Sequence, residues 1–176
     1  MREEIIILVD KDDKQIGTGE KMDIHRAGRL HRAFSVFVFN SKGETLLQRR
    51  ALDKYHSAGL WTNTCCSHPR VGEETIAGAK RRLKEEMGIE CELREVDSFV
   101  YKTEFEGLFE HEFDHIFIGI YEGNPILNKN EAHDYLWISL GDLKKEIERN
   151  PDKYTSWFKI AMGRTDFSRF SLKFAK

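Results

Sequence analysis

Cysteine is scarce in this sequence: 176 residues hold three, Cys65, Cys66 and Cys91. An odd number, two of them adjacent, argues against a disulfide scaffold, lacks the CxxC spacing of zinc or dithiol sites, and points to a reducing compartment. A surplus of one charge is missing too. With 28 basic residues against 30 acidic ones the net charge is -2, so nothing global argues for a nucleic-acid partner or a membrane surface, and any anion site must be local. Long hydrophobic runs are also lacking. The apolar stretch near the N-terminus, Ile5 to Val9, is too short for a signal-peptide core or a membrane span, and the chain reads as cytoplasmic. There is no internal repeat, low-complexity tract or linker. What remains, 40% hydrophobic and 33% charged residues, describes one soluble domain over 1–176. Its last segment, 167–176, reads as either a docking strand or a mobile basic tail.

Local patterns place the elements. Glu4 to Asp10 (EIIILVD) is β-rich, and the polar turn DKDDKQ after it makes the start of the chain a hairpin edge. GEKMDIHRAGRLH reads as loop with one helical turn. Ala33 to Phe39 (AFSVFVF) and Glu44 to Arg49 (ETLLQR) form a hairpin around NSKG. Glu73 to Met87 is helical, with Ile76, Ala79, Lys80, Leu83 and Met87 near one face and Gly88 as the stop. Leu93 to Thr103 and Glu110 to Tyr121 are strands, while Leu140 to Arg149 and Tyr154 to Gly163 are helices, the first ended by Asn150-Pro151. Strands and helices mix without regular βαβ alternation, which favours α+β or a mixed-sheet α/β sandwich.

Several groups could carry chemistry. On the helix, Arg82 and Glu86 stack four apart on the shoulder of the apolar stripe while Glu85 points away; the plain alternative is a solvated ion pair. In WTNTCCSHP, alternation turns Thr62, Thr64, Cys66 and His68 to one face and Trp61, Asn63 and Cys65 to the other, so one cysteine can face a pocket while its neighbour packs. In LFEHEFDH the i,i+2 spacing puts Glu110 and Glu112 on one face and turns His111 away from it. Three imidazoles, His25, His31 and His68, with two carboxylates suit a borderline divalent ion such as manganese, zinc or ferrous iron. His111 and His115 compete for the same role, and scattered histidines are commonly packed or surface residues.

Read backwards from Gly88, the helix segment resembles the Nudix box, G-x5-E-x7-R-E-U-x-E-E-x-G-U with U aliphatic. Ser67 stands in place of its first glycine and Arg82 in place of the first glutamate of R-E. A cation where metal-holding glutamates gather removes charge that hydrolysis of a diphosphate needs. Taken together, EK...H...RLHRAFSVFVFN, QRRALDKYHSAGLWTNTCCSHP, the altered box, EHE and the late SWF closely resemble the type 1 isopentenyl diphosphate isomerases, from Ile5 to Met162.

That resemblance implies a Nudix-like fold, a mixed β-sheet sandwiched by helices. It implies Cys66 and Glu112 as catalytic groups on opposite faces of a five-carbon alkene, Tyr101 supporting Glu112, and Trp157 against the hydrocarbon. It implies a metal site of His25, His31, His68, Glu110 and Glu112 for one divalent transition metal, manganese or zinc. Glu86, with the backbone carbonyl at Cys66, would hold a magnesium ion arriving with the diphosphate. Lys21, Arg50, Lys54 and Arg82 would meet the diphosphate oxygens, and the expected assembly is a monomer or weak homodimer. On residues alone Trp157 could be a core aromatic, and Arg49, Arg50 and Lys54 the solvated end of a hairpin. Two other functions stay open at this point: a Nudix hydrolase of a nucleoside diphosphate derivative, and a silent binding module for phosphorylated ligands.

Overall fold

The strand with the richest apolar pattern, β3 (His31–Phe39), is covered on both faces, as its near-continuous hydrophobic run requires. The computed structural model describes residues 4–54 and 56–171. Ahead of β3 come β1 (Ile5–Val9), β2 (Gln15–Glu20) and α1 (Lys21–Ala27); after it come β4 (Glu44–Arg50), β5 (Trp61–Thr62), β6 (Cys65–Ser67), α2 (Thr75–Met87), β7 (Leu93–Phe105), β8 (Leu108–Ile120), β9 (Ala132–Ser139), α3 (Leu140–Arg149), a 3-10 turn (Pro151–Lys153), α4 (Ser156–Arg164) and α5 (Ser168–Ser171). The sheet is mixed. β3 runs parallel to β8 from His31↔Glu112 to Phe39↔Ile120, β7 is antiparallel to β8, and β4 is antiparallel to β9.

Alternation along β3 divides the core. Phe34, Val36 and Val38 pack with Leu83 and Met87 of α2, whereas Phe37 and Phe39 pack with Trp157 and Phe158 of α4. The sheet is thus sandwiched by helices, the expected α+β arrangement.

The expected hairpin of β3 and β4 survives only at its turn. The two strands pair at Phe39↔Thr45 and then part, and the segment 61–67 fills the gap: β6 pairs with β3, β5 with β4. Thr64 bridges the opening, its Oγ1 accepting from the Val38 N–H at 2.9 Å and donating to the Leu46 carbonyl at 2.6 Å. A side chain thereby replaces a missing ladder bond that would otherwise leave buried backbone groups unpaired. This parting of strands makes room for the site.

Other local expectations shift. The loop expected around His25 is mostly ordered: β2 extends to Glu20, which caps α1 by accepting from the Asp23 N–H at 2.9 Å, and Gly28 ends the helix at φ 63°. On α2 the buried face is Gly78, Ala79, Leu83, Glu86 and Met87, with Ile76 39% exposed, so the face is rotated from the expected one. Gly78 takes the contact because a Cβ there would lie 3.2 Å from both the Phe34 ring and the Pro69 Cα. β9 has no counterpart in the sequence reading, since its single well-buried residue is Ala132. The last long helix starts at Ser156, because Tyr154 and Thr155 are tied to Trp61, the Thr155 N–H donating to its carbonyl at 3.0 Å. The opening of the last segment packs on the core: Phe167 is 3% exposed with its ring 4.2 Å from that of Phe37, and the turn after it is helical. Residues 172–176 lie outside the described ones.

Candidate active site

Four elements bring His25, His31, His68 and Glu112 together, with their ligating atoms within 4.8 Å of one another. His25 sits on α1, His31 opens β3, His68 follows β6, and Glu112 is the parallel-sheet partner of His31. Hydrogen bonds set two of the tautomers. His25 Nδ1 donates to the Lys21 carbonyl at 2.7 Å and His31 Nδ1 to the Arg29 carbonyl at 2.9 Å, which leaves each Nε2 as a lone pair. Those lone pairs face carboxylates: His25 Nε2 is 3.2 Å from Glu110 Oε2, and His31 Nε2 is 3.5 Å from Glu112 Oε1. His31 Nε2 has no hydrogen-bond partner among the described residues although the ring is fully buried. An acceptor facing an acceptor in a buried site is resolved by a cation between them, so the donor set fits a divalent metal ion.

The electrostatics show the same demand for positive charge: burial works to lower His25, but hydrogen bonding and charge from Glu110 prevail and raise it. Burial works to raise the Glu112 carboxyl, but contacts to His31 and His68 prevail and hold it well below the usual carboxylate range. Glu110, pushed up by burial and by Glu112, is held down by His25 and His56. Burial lowers His68 to about 4, so the ring is neutral and ligand-competent at neutral pH. Tyr101, register partner of Glu112, donates its hydroxyl to Glu112 Oε2 at 2.5 Å.

A cavity of about 90 Å³ opens where the strands part, so α2 and α4, on opposite sides of the sheet, line it together. Its walls include Cys66, Glu112, Tyr101 and Trp157. The two adjacent cysteines separate as expected: Cys65 is fully buried against the α2 core, while Cys66 is half-buried at the cavity. Burial pushes the Cys66 thiol up, with Arg50 opposing, which keeps it protonated. Trp157 lines the cavity with its indole N–H donated to Thr62 Oγ1 at 3.0 Å, and the Arg50 guanidinium lies 5.3 Å from the ring centroid. The buried Nε of Arg50 has no hydrogen-bond partner among the described residues, a donor suited to an anionic oxygen.

A second cavity of about 340 Å³ adjoins the first and shares Lys21, Lys54, Ser67, His68, Arg82 and Glu131 with it. The three cations that the two cavities share are already paired: Lys21 Nζ lies 2.8 Å from Glu4, Lys54 bonds to Glu131, and Arg82 reaches Glu85, Glu86 and Glu131 at 2.9, 2.8 and 3.2 Å. The Arg82–Glu86 pair, Arg50 and Lys54 are therefore more than solvated decoration. Glu86 is 5% exposed and also accepts from Gln48 Nε2 at 2.9 Å.

Comparison with known proteins gives the family. The NUDIX domain profile matches residues 29–158. The isopentenyl-diphosphate Delta-isomerase of Serratia proteamaculans is 53% identical over 161 residues, covering 91% of this chain and 90% of that protein. Isopentenyl-diphosphate Delta-isomerase 2 of Photorhabdus laumondii is 56% identical over 158 residues, covering 89% of each. The chain belongs to the isopentenyl-diphosphate Delta-isomerases of the NUDIX superfamily. More distant solved structures share the fold alone: a Deinococcus radiodurans protein at 18% identity has a TM-score of 0.73 over 98% of this chain and all of that one, and the MutT protein of Methanosarcina mazei at 23% identity has 0.64 over 80% and 94%.

In this isomerase family member, three cavity-lining residues and one buried carboxyl beside Glu112 carry no signal used in the sequence reading. His56, 3.2 Å from Glu110 and edge-on to Trp157, comes from an irregular loop that carries no periodic signal. Gln48 and Glu131 act through partners remote in sequence. Asp114 was within reach of the alternation that paired Glu110 with Glu112: it is fully buried, accepts from Ser35 Oγ at 2.9 Å, and is pushed well above the usual carboxylate range by burial and by Glu112. His111 and His115 both face away, His111 Nδ1 donating to the Gly28 carbonyl and His115 lying between Glu95 and Asp13. No helix among the described residues is long and apolar enough to cross a membrane.

Proposed function

We propose that this protein converts isopentenyl diphosphate to dimethylallyl diphosphate, with Cys66 and Glu112 moving the protons. The observation that carries the reading is one cavity with a thiol on one strand, a metal-nest carboxyl on another, and a cationic mouth. Cys66 on β6 and Glu112 on β8 flank β3 on the same face, so a flat alkene seated over β3 meets a proton-exchanging group on each side. One group delivers a proton to the terminal methylene, leaving a tertiary carbocation. The other takes a proton from the carbon nearer the diphosphate, and the double bond has moved by one position. Exchange with solvent resets both groups.

An alkene is a very weak base, so the acid must be strong and the cavity dry. A divalent transition metal, manganese or zinc, held by His25, His31, His68, Glu110 and Glu112 would supply positive charge that sharpens the acidity of the Glu112 carboxyl. Tyr101 keeps Glu112 oriented, and the Trp157 face favours the cation by about 2 kcal/mol without a lone pair to capture it. Lys21, Arg50, Lys54 and Arg82 bind the diphosphate, with Glu86 and the carbonyl at Cys66 holding magnesium. The placement is cytoplasmic, with no nucleic-acid partner and a monomer or weak homodimer as the working unit.

Incubation with isopentenyl diphosphate and magnesium in heavy water, followed by NMR, tests this. Dimethylallyl diphosphate is expected with deuterium in the methyl derived from the terminal methylene and with the diphosphate intact. Phosphate release without double-bond migration would promote the hydrolase, and an unlabelled, unchanged substrate the binding module. At the mouth, Arg82→Ala is expected to raise KM, the loss of a charge-assisted phosphate contact costing about 1.5 to 3 kcal/mol. An unchanged KM removes Arg82 from the diphosphate site.

A further inference from the structure

We propose that Glu131 is a specificity-determining residue that tunes the cavity mouth to a diphosphate already carrying a divalent cation, and against bare diphosphate. The inference rests on the diphosphate reading of this mouth and adds a role for a residue outside the expected set. Glu131 immediately precedes β9, and its two carboxylate oxygens are divided: Oε2 takes the Lys54 ammonium and Oε1 lies 3.2 Å from Arg82 Nη2. The side chain is 23% exposed and sits in both cavities' walls, where a ligand oxygen reaching Lys54 and Arg82 must also pass it.

Its backbone is tied to the segments that carry those cations, through Ala51 ahead of Lys54 and Glu86 after Arg82. The Glu131 carbonyl accepts from the Ala51 N–H at 3.0 Å, its N–H donates to the Asn128 carbonyl at 2.9 Å, and the Asn128 N–H donates to the Glu86 carbonyl at 2.9 Å. The carboxylate is thus fixed over the cations, not swung in from solvent. Burial opposes its charge, but Lys54 and Arg82 hold it below the usual carboxylate range, so it is an anion at neutral pH.

Charge balance gives this anion its meaning. Leaving aside Glu110 and Glu112 of the histidine nest, the cations of the mouth among the described residues, Lys21, Arg50, Lys54, Arg70 and Arg82, stand against four carboxylates, Glu4, Glu85, Glu86 and Glu131. Arg81 does not alter the balance, being bound by both oxygens of Glu73 at 2.8 and 2.9 Å. One net positive charge remains. A diphosphate ester carries roughly three negative charges near neutral pH, and a bound divalent cation reduces them to about one. The mouth therefore matches the metal complex, and it leaves bare diphosphate with an excess of negative charge beside the Glu131 carboxylate. Removing that carboxylate raises the net charge to about two, and because Coulomb energy scales with ligand charge, the bare anion gains more than its metal complex.

Calorimetric titration of the intact protein with inorganic diphosphate, with and without added magnesium, tests this. For Glu131→Gln, binding without magnesium is expected to tighten about tenfold and binding with magnesium only about twofold, so the dependence on the metal falls about fivefold. Glu131→Asp keeps the charge and is expected to keep the wild-type ratio. An unchanged ratio in Glu131→Gln overturns the proposal, as does equal weakening in both conditions, which marks a clamp that only positions Lys54 and Arg82. An equal shift in Glu131→Asp and Glu131→Gln overturns it as well. Failure of the wild-type protein to bind diphosphate in either condition instead removes the diphosphate reading of the mouth itself.

Discussion

Cys66→Ala and Glu112→Gln are each expected to lower kcat by about 10³-fold or more while the chain stays folded. General acid and base groups are worth about 10² to 10⁴ each, and this reaction has no substitute for either, because an alkene offers water no foothold for proton transfer. The Cys66 side chain is half-buried at a cavity wall, so its loss trims the wall and not the α2 core. Glu112→Gln is isosteric but replaces an acceptor by an amide in the histidine nest, so metal content must be measured beside turnover. KM is expected to change far less, since the diphosphate contacts lie in the mouth. Cys65→Ala supplies the contrast: that residue packs with Leu83 and Met87, and its truncation costs some stability with little effect on turnover. An essential Cys65 beside a dispensable Cys66 would reverse the face assignment and with it the mechanism.

Loss of the metal is the second large effect. His25→Ala or His68→Ala is expected to release one equivalent of transition metal by elemental analysis and to reduce turnover to background, and strong chelation of the unmodified protein should do the same. Each imidazole is one of few ligands, and a site with few protein ligands loses affinity steeply when one goes. In His25 the local design is visible: its Nδ1 donates to the Lys21 carbonyl one helical turn earlier, which fixes the ring with its Nε2 toward the nest. Removal also leaves Glu110 and Glu112, both buried, with less positive charge beside them, so a drop in thermal stability should accompany the loss. Full activity in a preparation shown to be metal-free would exclude a catalytic metal.

Much of this was legible in the chain itself, because it depends on neighbours within about one turn or one strand. The period of two in NTCCSHP and in EHE separates Cys66 from Cys65 and joins Glu110 to Glu112. The period of 3.6 in the box helix brings Arg82 over Glu86. What those periods do not contain is which strand lies beside which. β3 and β4 looked like a complete hairpin because their turn and apolar patterns are local, yet 61–67 enters between them, held by Thr64, and only that insertion opens the cavity. His31 meets Glu112, and Glu131 meets Lys54 and Arg82, through pairings between residues far apart in the chain. Such contacts are set by burial and backbone hydrogen bonding summed over the whole sheet, and no short stretch of sequence carries that sum. The sequence alone therefore determined which residue types could carry chemistry and, along β6 and β8, which of them share a face. The tertiary structure decided which of them share a cavity, because register and strand order are properties of the packed sheet as a unit.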